Sequence, residues 1–235
     1  MTPLFLETKF YIIIPATGAL GFFIGYLLYP LTLYIPQYLI QPSNVVGETP
    51  LTYNRLSFSL LNMAISMMIV GYFGLGAKTL TNLFLAYGLL LLAYIDFKHY
   101  LLPDCLTLPV LWLGLFCNSF NLFVLTSQAI WGAIVGYSSL RIIAALFKYL
   151  RGVDGIGQGD MKLFALFGAW WGISPLIFII MTSSLLGILG TLVQMAWKKH
   201  SAQSPIPFGP YMVFSGFLVM FFRDYLRWFP CLSLD

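Results

Sequence analysis

The chain has 235 residues, of which 60% are hydrophobic, 17% are aromatic and only 9% are charged. Soluble domains average about 25% charged residues, and a soluble chain of this length cannot bury so much apolar surface in one core. The composition therefore excludes an ordinary soluble protein and makes a lipid bilayer the expected surroundings. The net charge of +4 is interpreted as an orientation signal in the membrane, and no nucleic-acid partner is predicted.

Eight apolar stretches follow one another along the chain, most of them near the length of about 20 residues that a bilayer core requires. A helix satisfies its own backbone polar groups in lipid, so each stretch is predicted to be a helix. The predicted spans are approximately 9–34, 57–75, 79–96, 105–125, 128–149, 160–172, 174–197 and 208–229. The predicted fold class is therefore all-α, a polytopic transmembrane helical bundle of about eight spans.

The domain organisation is predicted to be simple. Residues 1–56 are expected to form a retained N-terminal span and a short cytoplasmic loop, and residues 57–235 the membrane-embedded core of a single integral-membrane domain. Seven lysines and arginines lie in or beside the four polar connections on one side of the membrane, against four on the opposite side. The positive-inside rule places these connections in the cytoplasm. They comprise residues 36–55, 97–104, 148–160 and 198–207.

Two acidic residues stand at the ends of apolar stretches. Asp96 ends the third predicted span and Asp160 opens the sixth, with two complete spans between them, so both are expected at the same membrane face. A charged side chain costs about 2.5–3.5 kcal/mol at the centre of a spanning helix, which makes such residues functional candidates. Two close carboxyl groups in a low dielectric share a proton, so that an acid and a base coexist near neutral pH. This is the apparatus that splits a peptide bond with water.

Three glycines precede the second of these aspartates at alternate positions: Gly155, Gly157 and Gly159. Glycine lets the backbone approach a substrate closely and adopt conformations that other residues avoid. An extended substrate segment can pair with such backbone. The three glycines are therefore predicted to bind substrate or support the site, although glycine-rich loops are common and the pattern alone is weak.

Structural roles remain open for both aspartates. A carboxylate at the start of a helix caps unpaired N–H groups and meets the positive end of the helix dipole, which is an alternative role for Asp160. Asp96 has the alternative role of an interfacial acid paired with Lys98 or His99.

Three further charged residues are candidates for supporting roles. Helix capping is the preferred role of Asp104, because it follows a proline and precedes a predicted helix. Asp154 is interpreted first as a loop acid and second as a supporting site residue. Lys162 is interpreted as a positive-inside anchor that also sits close enough in sequence to tune the charge of Asp160.

Three segments carry a resemblance to a known family. They are Y-I-D-F-K-H-Y-L-L-P-D at 94–104, G-I-G-Q-G-D-M-K-L-F-A-L-F-G-A-W-W-G at 155–172 and I-P-F-G-P-Y at 206–211. With the span pattern, they resemble the type IV prepilin peptidases, which are membrane aspartyl proteases of the GxGD type. The resemblance implies that Asp96 and Asp160 are the catalytic pair and that proteolysis needs no metal. It also implies a prepilin or type II secretion pseudopilin substrate, whose short basic leader is cut at the cytoplasmic face of the bacterial inner membrane.

The N-terminal region departs from the family pattern. Many members carry two CxxC pairs that bind zinc, but residues 36–55 contain no cysteine and no zinc site is predicted. The three cysteines, Cys105, Cys117 and Cys231, are interpreted as apolar packing residues. Many members also methylate the new pilin N-terminus with S-adenosylmethionine, and the altered N-terminal region leaves this second activity open.

Three alternative functions remain open beside the prepilin peptidase. A second GxGD protease, of the preflagellin or presenilin-like type, shares the aspartate pair but cuts other substrates. A proton-coupled transporter requires polar residues near the middle of several spans, and the sequence has few. A structural membrane scaffold predicts that both aspartates are dispensable. The oligomeric state does not follow from the sequence.

Overall fold

The computed structural model describes residues 3–39, 51–153, 155–196 and 207–226, and within these ranges the chain forms eight helices and no strand. The helices are α1 (Pro3–Leu39), α2 (Leu51–Phe73), α3 (Ala77–His99), α4 (Asp104–Ser119), α5 (Thr126–Arg151), α6 (Gln158–Trp171), α7 (Ser174–Ala196) and α8 (Gly209–Leu226). Each corresponds to one predicted span. The all-α helical bundle predicted from the sequence is therefore confirmed.

Five of the helices are long and apolar enough to cross a membrane, so the chain is a multi-pass membrane protein. The candidate spans are Ile13–Pro36, Arg55–Phe73, Ala77–His99, Thr126–Arg151 and Ser174–Val193. Helices α4 and α8 are shorter apolar helices. Helix α6 has only 14 residues and is about 21 Å long, less than the hydrocarbon core.

The fourth predicted span, 105–125, extends beyond the observed helix. Helix α4 stops at Ser119, and the apolar residues that follow form a turn before α5 begins at Thr126. Asn121 has a positive φ of 53°, a conformation that asparagine tolerates better than most residues. The turn therefore interrupts a run of apolar residues that hydropathy alone assigns to one helix.

The chain divides into two compact units, Met1–Leu91 and Leu92–Asp235, so that the division falls within α3. The predicted domain division at residues 56 and 57 remains a prediction. In the first unit α1 packs closely against α2. A side chain at Gly21 would collide with the Ser66 side chain, and a Cβ at Gly25 would lie 2.9 Å from the Cβ of Asn62. Small residues thus allow the two backbones to approach, as is common between membrane helices.

Helix α6 lies at the centre of the second unit. It packs against α4, α5, α7 and α8, and its residues 163–171 are all buried. An apolar helix with no exposed face belongs in a protein core. Its closest neighbour is α5, where a Cβ at Gly168 would collide with the backbone of Gly132 and a Cβ at Gly132 with the backbone of Gly168. Only glycine at both positions permits this crossing.

The C-terminal end of α6 is fixed by the buried side chain of Asn118 in α4. Its amide nitrogen donates to the carbonyl oxygens of Ala169 at 2.8 Å and Trp170 at 3.0 Å. Its amide oxygen accepts the backbone N–H groups of Phe123 at 3.0 Å and Val124 at 3.2 Å. One side chain therefore satisfies the last carbonyls of α6 and shapes the turn that leads into α5.

Candidate active site

Asp96 lies in the last turn of α3, which continues to His99 beyond the predicted end of the span. The residue is only 5% exposed. One carboxylate oxygen, Oδ2, accepts the backbone N–H of Gly209 at 2.8 Å. A buried carboxylate needs such a donor, because burial without a hydrogen bond is costly. Helix α8 thus supplies the group that holds the carboxylate of Asp96.

Gly209 is a site residue that the sequence-based prediction did not assign. It is the first residue of α8, and a Cβ there would lie 2.6 Å from Oδ2 of Asp96. Only glycine therefore lets the helix end approach the carboxylate this closely. The available signal was the I-P-F-G-P-Y segment, whose glycine and proline mark a helix start near the same predicted face.

Asp160 lies in the first turn of α6 as its third residue, and the N-cap residue is Gly157. The Asp160 carboxylate accepts a hydrogen bond from the backbone of Gly157. An acid at this position reaches back to the N-cap N–H and satisfies one unpaired donor of the helix. Asp160 therefore does satisfy a backbone N–H at the start of α6, as the capping alternative predicted. It does so from the third residue of the helix and not from the N-cap position.

The two carboxyl groups are close enough to influence each other. Helix α6 is not among the candidate membrane spans, and the Asp160 carboxyl stands at its start. Burial first, and then the charge of Asp96, raise the pKa of Asp160 to about 7, against the opposing hydrogen bond from Gly157. The structure therefore brings together the two aspartates that the sequence singled out.

The three glycines before Asp160 contribute space rather than unusual backbone conformations. None has a positive φ, and Gly157 has φ −66°, so the expectation of conformations closed to other residues is wrong. A Cβ at Gly155 would collide with the ring of Phe147, and one at Gly159 would lie 2.6 Å from the Cβ of Leu102. The segment is glycine-rich because neighbouring side chains fill the room that a Cβ would need.

Asp104 and Lys162 form an ion pair. The ammonium nitrogen of Lys162 lies 2.7 Å and 2.6 Å from the two carboxylate oxygens of Asp104. Asp104 is the first residue of α4, its N-cap is Pro103, and no side chain caps the helix. The preferred capping role of Asp104 is therefore wrong, because the carboxylate turns to Lys162 instead. Asp154, the remaining candidate, lies outside the described residues.

The two aspartates lie beside backbone donors. Within residues 3–39, 51–153, 155–196 and 207–226, no three histidine, cysteine or acidic side chains gather as a metal site requires. Each aspartate has a backbone N–H donor from a glycine. Such a pair can hold one proton between two carboxyl groups and exchange it with a bound water.

Residues 83–192, which include both aspartates, match the sequence profile of the type IV leader peptidase family. The chain is also similar to curated relatives named prepilin leader peptidase/N-methyltransferase. The chain is 42% identical over 171 residues to that of Stutzerimonas stutzeri, a match covering 71% of this chain and 59% of the relative. It is 40% identical over 176 residues to that of Xanthomonas campestris, covering 74% and 61%.

A third relative of the same name, from Pseudomonas aeruginosa, is 38% identical over 170 residues, covering 71% of this chain and 59% of the relative. The chain thus spans about three fifths of the length of the curated relatives it matches. No solved structure matches the chain significantly.

Proposed function

We propose that this protein is an endopeptidase that removes the short basic leader of type IV prepilins or pseudopilins. The proposal is carried by Asp96 and Asp160, two largely buried carboxyl groups from α3 and α6 that lie close enough for the charge of one to act on the other. Both lie in the segment that matches the leader peptidase family. Buried acids that perturb each other are costly to a fold, and their presence favours a catalytic role.

The proposed mechanism uses water and no cofactor. One carboxylate accepts a proton from a water molecule, whose oxygen attacks the scissile carbonyl carbon, while the protonated partner donates its proton to the carbonyl oxygen. The resulting tetrahedral diol collapses when the leaving nitrogen takes a proton from the first carboxyl group. The second carboxylate then recovers a proton from the diol, so the pair ends the cycle as it began.

The substrate is proposed to be a prepilin or pseudopilin, with a basic leader followed by a hydrophobic helix. The membrane spans of the chain suit a substrate that is itself anchored in the bilayer. The positive-inside distribution supports an active site at the cytoplasmic face of the bacterial inner membrane. Asp104, Lys162 and the glycines at 155, 157 and 159 are proposed to support this site.

A second activity is favoured by the names of the relatives, which include N-methyltransferase. In that reaction the new N-terminal amine would attack the methyl group of S-adenosylmethionine, release S-adenosylhomocysteine and lose a proton. Zinc is not proposed.

The test is co-expression of the protein with prepilin, pseudopilin and preflagellin substrates, followed by intact-mass analysis. Asp96→Asn and Asp160→Asn are expected to lower leader removal by about 10²–10⁴-fold, because each removes a group that moves a proton. Asp224→Asn, at the opposite end of α8 from Gly209, is the matched control and is expected to cleave like the wild type. The same spectra show whether the product gains a methyl group.

The outcomes separate the competing functions. Cleavage of preflagellin alone would favour another GxGD protease. Retained cleavage in both aspartate variants would refute the dyad. No cleavage of any substrate by well-inserted wild-type protein would contradict the peptidase proposal, and proton flux in proteoliposomes would then favour the transporter.

A further inference from the structure

The ion pair between Asp104 and Lys162 joins two helices beside the candidate catalytic residues. Asp104 begins α4, and Lys162 lies two residues after Asp160 in α6. The ammonium group contacts both carboxylate oxygens, although the side chains are 24% exposed for Lys162 and 56% exposed for Asp104. Ion pairs this exposed contribute little to stability, so the fold does not depend on this pair.

A second contact fixes the same segment to the same helix turn. Leu102 is 8% exposed. A Cβ at Gly159 would lie only 2.6 Å from the Cβ of Leu102. Residues 102–104 are therefore held to the first two turns of α6 at positions 159 and 162, which bracket Asp160 in the sequence. A leucine packed on glycine fixes the distance, and the ion pair restrains sliding along the helix.

The segment leads directly back to the other aspartate. Helix α3 ends at His99, and the backbone N–H of Tyr100 donates to the carbonyl oxygen of Asp96 at 2.9 Å. Tyr100 has a positive φ of 54°, so the chain turns sharply and only residues 100–103 connect α3 to α4. A connection this short transmits a displacement of α4 to the end of α3.

We infer that the Asp104–Lys162 ion pair is a positioning clamp that sets the Asp96 and Asp160 carboxyl groups at their working separation. The inference rests on the proposed peptidase function. A displacement of about 1 Å between reacting groups lowers a rate by as much as about 10²-fold. The clamp therefore affects the rate of bond cleavage far more than the binding of substrate.

The first test is a double-mutant cycle on the full chain with a cleaved prepilin. Asp104→Asn and Lys162→Met are each expected to lower kcat by about tenfold, with KM within about twofold of the wild type. The double variant is expected to lose no more than either single variant, because the clamp is already open. Lys162→Arg can still pair with Asp104, so its kcat is expected to stay near that of the wild type.

Lys98→Met is the matched control, since it removes a positive charge two residues after Asp96 just as Lys162→Met does after Asp160. It is expected to leave kcat unchanged. Additive losses of about 10²-fold in the double variant would overturn the clamp. An unchanged kcat in the single variants would also overturn the clamp. A raised KM with wild-type kcat would overturn it as well and would assign the two side chains to substrate binding.

A second measurement does not depend on peptidase activity. Asp96→Cys and Asp160→Cys are combined in a chain whose native cysteines are replaced by serine, and the rate of disulfide formation under a mild oxidant is followed. Lys162→Met is expected to change this rate and Lys98→Met to leave it unchanged. Equal rates in all three backgrounds would overturn the clamp. If the wild type cleaves no prepilin, the proposed function fails and this comparison alone decides the inference.

Discussion

The two ends of α6 are built differently. At its C-terminal end, Asn118 makes four hydrogen bonds within a buried environment, and the glycine crossing with α5 lies one turn away. At its N-terminal end, Asp160 carries a raised pKa and the nearby ion pair is partly exposed. The helix is therefore anchored at one end and carries the costly carboxyl group at the other.

The anchored end is expected to give the largest effect on stability. Asn118→Leu removes four hydrogen bonds and leaves buried backbone groups without partners, so the free energy of unfolding should fall by about 2–5 kcal/mol. Reversible unfolding in detergent, followed by circular dichroism, measures this loss. Leader cleavage per folded molecule should remain near that of the wild type, and a selective loss of cleavage at full stability would contradict the comparison.

The glycine crossing is expected to give the next largest effect. Gly168→Leu drives a side chain into the backbone of Gly132, and overpacking of this kind lowers stability by about 1–3 kcal/mol. Gly71→Leu in α2 is the matched control, because a Cβ at Gly71 meets no atom within 4 Å. Thermal unfolding of both variants checks the prediction, which fails if the two shifts are equal.

Changes beside the two aspartates should alter the rate of cleavage rather than the stability of the fold. Gly209→Ala places a methyl group against Oδ2 of Asp96 and displaces either the carboxylate or the start of α8. We expect kcat for leader cleavage to fall by about tenfold or more, while the unfolding transition moves little. Gly71→Ala is the matched control, because a Cβ at Gly71 meets no atom within 4 Å. Wild-type kcat in Gly209→Ala would refute the role of this contact.

Within one pH unit of neutrality, the smallest expected effect is a pH dependence of cleavage set by Asp160. Its pKa is raised to about 7, so the carboxyl group is protonated below that pH and loses the proton above it. If Asp160 is the proton donor, cleavage falls by up to about tenfold per pH unit above pH 7. A pH profile of kcat measures this.

The same raised pKa has a consequence for stability. The folded state binds a proton that the unfolded state has released between about pH 4 and pH 7, so stability falls as pH rises through that window. Asp160→Asn should remove this part of the pH dependence. An unchanged profile of stability against pH in that variant would contradict the assignment.

The helices could be predicted from the sequence because a bilayer imposes long apolar runs on any chain that crosses it. Some bounds differ: α1 ends at Leu39 and α2 begins at Leu51, so both helices extend into the predicted connection 36–55. Helix α4 ends early, where apolar residues continue through a turn that the side chain of Asn118 stabilises. That turn depends on tertiary contacts with α6, which hydropathy does not contain.

The candidate site could be predicted in part. The parity of the spans predicted that Asp96 and Asp160 approach each other, and in the structure the charge of Asp96 reaches the Asp160 carboxyl group. The Gly209 contact was missed because its partner lies 113 residues away, and the pairing of Asp104 with Lys162 because 58 residues separate them. No local pattern encodes such pairings. The catalytic roles, the absence of a cofactor in proteolysis and the possible use of S-adenosylmethionine remain predictions.

The contact between Gly209 and Asp96 also bears on how the protein is made. The glycine that holds this carboxylate is the 113th residue that the ribosome adds after Asp96. At synthesis rates of about 5–20 residues per second, that interval is roughly 6–23 s. Throughout it, Asp96 lacks its backbone donor, so a nascent chain already inserted in the bilayer has an unfinished site. Maturation of the site therefore waits for the insertion of α8.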